Sequence, residues 1–188
     1  MLESTQGVSF SFFVCHGIFA LLNLSLSVAA LAGATLSDRA VKRQSVFIYT
    51  MWTSVLALHA SIAFMKMPVL WKPIDTVAVS VVGVGVTLIL AAATHKKMPL
   101  LDPYVKAGLA IFFKAVPQVA LAITIYQNGK GGLSGWWILL GHVTILTRIT
   151  HLWFSNRQKW DRNTKGSFVS EVWNEASWAL ATAAWVAF

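Results

Sequence analysis

The chain has 188 residues, 56% of them hydrophobic, and a mean hydropathy of +0.64. These values exclude an ordinary soluble domain, and they leave little sequence for a separate soluble catalytic domain. The formal net charge is +8, but the basic residues lie in short connections and not on one basic surface. This distribution argues against nucleic acid as a partner.

Six apolar stretches follow one another along the chain, at residues 8–33, 45–67, 75–94, 105–127, 133–155 and 171–188. Each is close to the roughly 20 residues that an α-helix needs to cross a bilayer. Barrel strands would alternate between apolar and polar residues, and a run such as 77–93 does not. We therefore predict an all-α polytopic membrane protein, in which residues 1–188 form a single bundle of six transmembrane helices.

The basic residues predict the orientation of this bundle. Ten of the fifteen Lys and Arg residues lie in or beside the first, third and fifth connections. By the positive-inside rule, connections 34–44, 95–104 and 156–170 are cytoplasmic and both termini are outside. The expected location is a plasma membrane or a bacterial inner membrane. The lipid bilayer is an expected partner, and the sequence allows a homo-oligomer.

The first two stretches carry polar residues at helical spacing. His16, Asn23 and Ser27 lie in the first stretch, and His59 lies in the second beside serines and threonines. Such residues either line an aqueous space or bond to their own and neighbouring helices. Because several helices carry them, we expect a polar interior. Cys15 is the single cysteine, so an internal disulfide is excluded.

The fourth stretch contains Lys114, Pro117 and Gln118. Lys114 and Gln118 are one turn apart and therefore face the same way. Pro117 is the one proline inside a stretch, and it predicts a kink because it removes a backbone hydrogen bond.

The fifth and sixth stretches carry further ionisable residues. Thr144, Arg148 and His151 share one face of the fifth helix. An arginine inside a span marks a functional interior or a partner carboxylate, unless it snorkels to the interface. The sixth stretch contributes Asn174 and Glu175. Besides Asp75 at the start of the third stretch, Glu175 is the one carboxylate predicted clearly inside a span.

The two halves of the chain align weakly with each other. Residues 55–64 can be laid over 145–154, and residues 17–19 can be laid over 110–112. This alignment predicts two three-helix repeats, 1–95 and 104–188. Chance similarity between hydrophobic helices is the alternative.

Two segments of the second half resemble the PQ-loop family, which includes SWEET-type sugar carriers, lysosomal amino-acid exporters and the KDEL receptor. They are Lys114-Ala115-Val116-Pro117-Gln118 and Asn128-Gly129-Lys130-Gly131-Gly132-Leu133-Ser134-Gly135. The resemblance covers helices four to six. It implies that Pro117 is a hinge for alternating access and that Asn174 faces a cavity. The first half departs from the pattern, since Leu24-Ser25 stand where Pro-Gln is expected.

Together these features predict a membrane transporter that carries a small polar solute through a central polar cavity by alternating access. The predicted lining residues are Lys114, Gln118, Thr144, Arg148, His151, Asn174 and Glu175. Arg148 or Lys114 would hold an anionic group, and His151 or Glu175 would couple a proton.

Two other classes stay open. One is a non-transporting membrane scaffold or assembly subunit, and the other is a membrane-embedded enzyme or cofactor-binding protein. No metal-ligand spacing, phosphate-binding loop or nucleophile motif is present in the sequence. We therefore predict no catalytic residue, metal or cofactor.

Overall fold

The computed structural model describes residues 8–33, 35–36, 39–99, 102–131, 133–155 and 160–188. Within these ranges the chain forms seven helices and no strand, which confirms the all-α prediction. The helices are α1 (Phe10–Ala32), α2 (Arg39–Met65), α3 (Met67–Leu70), α4 (Pro73–His95), α5 (Pro103–Asn128), α6 (Gly135–Ser155) and α7 (Arg162–Ala187). The single turn of α3 is not predicted from the sequence.

Four helices among the described residues are long and apolar enough to cross a membrane. They are α1, the Val46–Met65 part of α2, α4 and α5, and they fit the predicted membrane protein. Neither α6 nor α7 reaches the same apolarity, because each carries several polar and ionisable side chains. The count of six spans therefore stays a prediction.

Two helices begin inside connections that were expected to be polar loops. Helix α2 begins at Arg39, within 34–44, and α7 begins at Arg162, within 156–170. Asp161 starts α7 early, because its carboxylate accepts a hydrogen bond from the backbone N–H of Thr164 at 2.7 Å and so caps the helix. Residues 34, 37, 38 and 156–159 of these connections lie outside the described residues.

Helix α5 lies at the centre of the bundle. It packs against α1, α4 and α7, while α1 also packs against α2 and α4, and α6 packs against α7. At the end of α5, Gly129 adopts a φ of 80°, a region that favours glycine, and the chain turns there towards α6. We call the end of the bundle where α1 begins and α5 ends the upper end.

The starts of α1 and α4 are joined by a buried carboxylate. Oδ1 of Asp75 accepts hydrogen bonds from the Ser9 hydroxyl at 2.9 Å and from the hydroxyl and backbone N–H of Ser11 at 2.7 and 2.8 Å. Oδ2 accepts a bond from the backbone N–H of Lys72 at 3.0 Å. Asp75, Ser9 and Ser11 are all fully buried, so these bonds fix the two helices in a parallel arrangement.

A glycine lets α6 lie close to α7. A Cβ at Gly141 would lie 2.2 Å from Nε1 of Trp178. Trp178 cannot easily turn away, since it is buried and its Nε1–H donates to the carbonyl of Ile138 at 3.1 Å. We expect Gly141→Ala to destabilise the protein by about 2 kcal/mol through overpacking, measured by SDS titration of the protein in mixed micelles.

Gly83→Ala is the matched control for this prediction. It makes the same change within α4, where no atom lies within 4 Å of the added Cβ. Alanine also has the higher helix propensity, so the unfolding midpoint should stay unchanged or rise. Equal midpoints for the two variants would contradict the close contact between Gly141 and Trp178.

Candidate functional site

Three charged side chains from three helices meet in the middle of the bundle. Nζ of Lys114 on α5 lies 3.3 Å from both carboxylate oxygens of Glu171 on α7. Nε of Arg148 on α6 lies 3.0 Å from Oε1 of the same carboxylate. We call Lys114, Arg148 and Glu171 the charge cluster. At ordinary ionisation states, two cations and one carboxylate leave it with one net positive charge.

The charge cluster is buried on its carboxylate side and open on its arginine side. The side chain of Glu171 is 8% exposed, whereas that of Arg148 is 48% exposed. Arg148 also interacts with Tyr49 of α2, and Nζ of Lys114 lies 5.2 Å from the ring centroid of Phe19 on α1. Five long helices therefore contribute to the immediate surroundings of the cluster.

The depth of the cluster follows from the position of Lys114 in α5. Pro103, where α5 begins, lies about 16 Å below Lys114 along the helix axis, and the whole helix is about 39 Å long. Lys114 therefore lies close to the middle of an apolar span. Charged groups at such a depth are costly unless they are paired, so the contact with Glu171 explains how this lysine is tolerated.

A network of uncharged polar groups lies above the charge cluster. Asn174 donates from Nδ2 to Oε2 of Glu171 at 3.1 Å and accepts at Oδ1 from Nε2 of Gln118 at 2.9 Å. The Ser177 hydroxyl donates to Oε1 of Gln118, and Nε2 of His16 lies 3.3 Å from Nε2 of Gln118. We call His16, Gln118, Asn174 and Ser177 the amide network.

The tautomer of His16 follows from its second contact. Nδ1 of His16 lies 2.8 Å from the backbone carbonyl of Phe12, and a carbonyl only accepts hydrogen bonds. The neutral ring therefore carries its proton on Nδ1, and Nε2 accepts a bond from the amide of Gln118. Every polar atom of the Gln118 side chain then has a partner, which fixes the amide orientation.

Aromatic rings close the bundle above the amide network. Phe12 stacks on Trp178 with ring centroids 5.7 Å apart, and His59 lies 5.1 Å from Phe13 and 5.2 Å from Trp137. We call these five residues the aromatic layer. It lies about one helical turn above the amide network, because Phe12 comes four residues before His16 in α1 and Trp178 comes four residues after Asn174 in α7.

A second side-chain contact joins α6 and α7. Nδ1 of His142 lies 2.5 Å from Oε1 of Glu175, and Nε2 of His142 lies 2.8 Å from the hydroxyl of Thr182. Oε2 of Glu175 is buried and has no hydrogen-bond partner among the described residues. The predicted site residue Glu175 is therefore held by a histidine of the neighbouring helix.

The structure brings together four of the predicted lining residues and leaves others apart. Lys114 and Arg148 belong to the charge cluster, and Gln118 and Asn174 to the amide network. Thr144 donates to the carbonyls of Leu140 and Gly141 within its own helix, at 2.8 and 2.9 Å. His151 is exposed on α6.

Pro117, the predicted hinge, lies fully buried beside Gln118 in the central helix. Helix α5 continues through it without interruption. The proline has no N–H to donate to the preceding turn. One backbone hydrogen bond of α5 is therefore missing directly before Gln118. Its role as a hinge stays a prediction.

Glu171 is the functional candidate that the sequence does not reveal. The sequence predicts Asp75 and Glu175 as the only embedded carboxylates, because the sixth stretch is taken to begin at residue 171. The start of α7 at Arg162 corrects this, since it places Glu171 well inside the helix. The sequence signal for this earlier helix start is Asp161, because aspartate is a favourable N-cap residue and no proline follows it.

Buried polar side chains lie at the centre of the bundle. Gln118, Asn174 and Glu171 are nearly fully buried, and Asn174 bonds to both of the others. Two cavities lie elsewhere. One of about 310 Å³ is lined by Phe112 and by residues of α4, which are apolar except for Ser80, and one of about 120 Å³ lies beside His59 and Trp137.

The charge cluster can hold an anion by its surplus positive charge. Within the described ranges, no three His, Cys, Asp or Glu side chains meet in a way that would hold a metal ion. No family model, curated protein or solved structure matches this chain.

Proposed function

We propose that this chain is a membrane transporter that carries a small, polar, anionic solute by alternating access through the centre of the bundle. The charge cluster is the observation that carries the proposal. Three ionisable side chains from α5, α6 and α7 converge near the middle of an apolar span, where embedded charges usually mark a substrate or ion pathway. The surplus positive charge favours an anion over a neutral or cationic solute.

The proposal includes six membrane spans, with α6 and α7 completing the bundle around the four apolar helices. The ionisable residues of α6 and α7 support this, because Glu171 pairs both with Arg148 and with Lys114, and Lys114 belongs to an apolar span. Both termini would be outside a plasma membrane or bacterial inner membrane, and connections 34–44, 95–104 and 156–170 would be cytoplasmic. The two halves, 1–95 and 104–188, would be repeats.

Alternating access needs a barrier on one side of the site and a point of bending. The aromatic layer supplies the barrier at the upper end, and Pro117 is the proposed hinge. Bending at Pro117 would separate Gln118 from Asn174 and Ser177, which opens the amide network without breaking the apolar core. This role for Pro117 and a cavity-facing Asn174 also agree with the proposed likeness to the PQ-loop family.

Uptake into proteoliposomes tests the proposed function. The panel of labelled solutes is gluconate, glutamate, succinate, inorganic phosphate and glucose. We expect uptake of at least one anion, and we expect Arg148→Gln to lower it by about 10- to 100-fold. This range corresponds to losing one charge-assisted hydrogen bond, worth about 1.5–3 kcal/mol.

Arg162→Gln is the matched control, because it makes the same substitution at the rim of the bundle. Arg162 is 54% exposed and pairs with Asp102 at 3.0 Å, so its removal should leave uptake unchanged. Absence of uptake for every solute of the panel would contradict the transporter. An equal loss in the two arginine variants would remove the charge cluster as its binding site.

A further inference from the structure

The charge cluster already has the geometry of a carboxylate-binding site. The carboxylate is that of Glu171, and three other side chains hold it. Lys114 contacts both oxygens, Arg148 contacts Oε1, and Asn174 donates to Oε2. Planar carboxylates are the anions that such a set of charge-assisted donors fits best. The donors that hold Glu171 therefore also fit the carboxylate of a solute.

Arg148 gives such a solute a point of contact. About half of its side chain is exposed while Glu171 is buried beneath it. A carboxylate that approaches from this side meets the guanidinium first and then lies beside the carboxylate of Glu171. A solute that takes over the contacts with Lys114 and Arg148 leaves the buried carboxylate of Glu171 without its cations. A buried carboxylate without a cationic partner favours its protonated form.

We infer that the solute is a carboxylate and that it is carried together with one proton, which binds to the carboxylate of Glu171. This inference rests on the proposed function. The proton comes from water on the entry side and bonds to one oxygen of Glu171. The solute carboxylate then takes the contacts with Lys114 and Arg148. The solute and the proton are released together on the opposite side.

This coupling leaves the net charge of the cluster unchanged. The empty cluster holds two cations and one carboxylate, and so carries one positive charge. The loaded cluster holds two cations, a neutral Glu171 and the solute carboxylate, and so carries the same charge. Loaded and empty states therefore face the same electrostatic barrier to reorientation in the bilayer, whereas a solute bound without a proton would change it.

Other ionisable groups around Glu171 fit the assignment. Lys114 faces it from α5 and Arg148 from α6, while His16 of α1 reaches it only through Gln118 and Asn174. One turn further along α7, the Glu175 carboxylate is held by His142. The sequence points to His151 or Glu175 as the proton site, but Glu171 is the carboxylate that contacts both cations of the proposed anion site.

Proton uptake by the unaltered protein is the first test. Purified protein in weakly buffered detergent solution receives gluconate, glutamate or succinate at constant ionic strength. Because binding of the anion favours protonated Glu171, a carboxylate that binds should withdraw about one proton per bound anion from the medium, and the pH should rise. Binding without proton uptake would overturn the inference.

Glu171→Gln is the second test, because glutamine mimics the protonated acid in shape and charge. Wild-type vesicles with an acidic exterior should accumulate the carboxylate about tenfold per unit of pH difference, as one coupled proton requires. The variant should lose this accumulation and its proton uptake. It should still exchange labelled for unlabelled carboxylate across the membrane, a step that needs no net proton movement.

The outcomes separate this inference from the proposed function. Uptake of phosphate or glucose but of no carboxylate, or carboxylate uptake that ignores the pH gradient, leaves a transporter and overturns the inference. A Glu171→Gln variant that still accumulates carboxylate with the pH gradient also overturns it. Loss of accumulation with retained exchange supports it, and a purely structural role for Glu171 would not separate these two activities.

Discussion

Glu171→Leu is expected to destabilise the protein by about 3–5 kcal/mol, the cost of leaving a buried charge without its partner. Leucine fills a similar volume in α7, so the loss is electrostatic and not a packing defect. Among the described residues, Lys114 would keep its contact with the Phe19 ring and Arg148 its contact with Tyr49. Asn174 would also lose the acceptor of its amide hydrogens. Equilibrium unfolding in mixed micelles of increasing SDS content measures the change.

A second substitution should recover part of this loss. In Glu171→Leu with Lys114→Met, one of the two orphaned cations is removed, and methionine keeps much of the lysine volume. The double variant should therefore be more stable than Glu171→Leu alone, and the double-mutant cycle should give a favourable coupling between the two side chains. A double variant that is less stable than both single variants would contradict the charge argument.

Glu175→Leu is the matched control on the same helix, one turn from Glu171. Its partner is His142, which keeps a second hydrogen-bond partner in the hydroxyl of Thr182. We expect a loss of only about 1–2 kcal/mol, from the broken hydrogen bond. Equal losses at the two positions would show that the two embedded cations are not the source of the effect.

The helices that hold the core of the bundle can be predicted from composition. Helices α1, α4 and α5 consist of apolar residues over most of their length, and proline or aspartate residues stand at the starts of α4 and α5. The first turns of α7 are different, because 162–170 has the polar composition of a loop. Its helical state depends on the Asp161 cap and on packing against α5, which a hydropathy pattern does not contain.

The partners within the site are harder to predict than the residues. Lys114, Gln118, Arg148 and Asn174 stand out because polar groups are rare and expensive in apolar stretches. Their pairing depends on the rotation and depth of each helix, which tertiary packing decides. For this reason Lys114 pairs with Glu171, 57 positions away along the chain, and Thr144 satisfies its hydroxyl within its own helix.

Asp75→Ala is expected to destabilise the protein by about 3–5 kcal/mol, because it leaves buried donors without an acceptor. The backbone N–H groups of Ser11 and Lys72 lose their partner, since both bond to this one carboxylate. The hydroxyls of Ser9 and Ser11 can still bond to each other, at 3.0 Å. The start of α1 would then separate from α4, and the SDS titration should show a lower midpoint.

Cys15 provides a local reporter for this separation, since it lies one turn after Ser11 and is buried. Its thiol should react faster with a maleimide in Asp75→Ala under native conditions, because α1 opens locally before the bundle unfolds. Asp102→Ala is the control, since Asp102 also precedes a helix but lies at the rim, where it caps α5 and pairs with Arg162. There we expect a loss of about 1 kcal/mol and no change at Cys15. Equal labelling rates in the two variants would show that Asp75 does not hold α1 against α4.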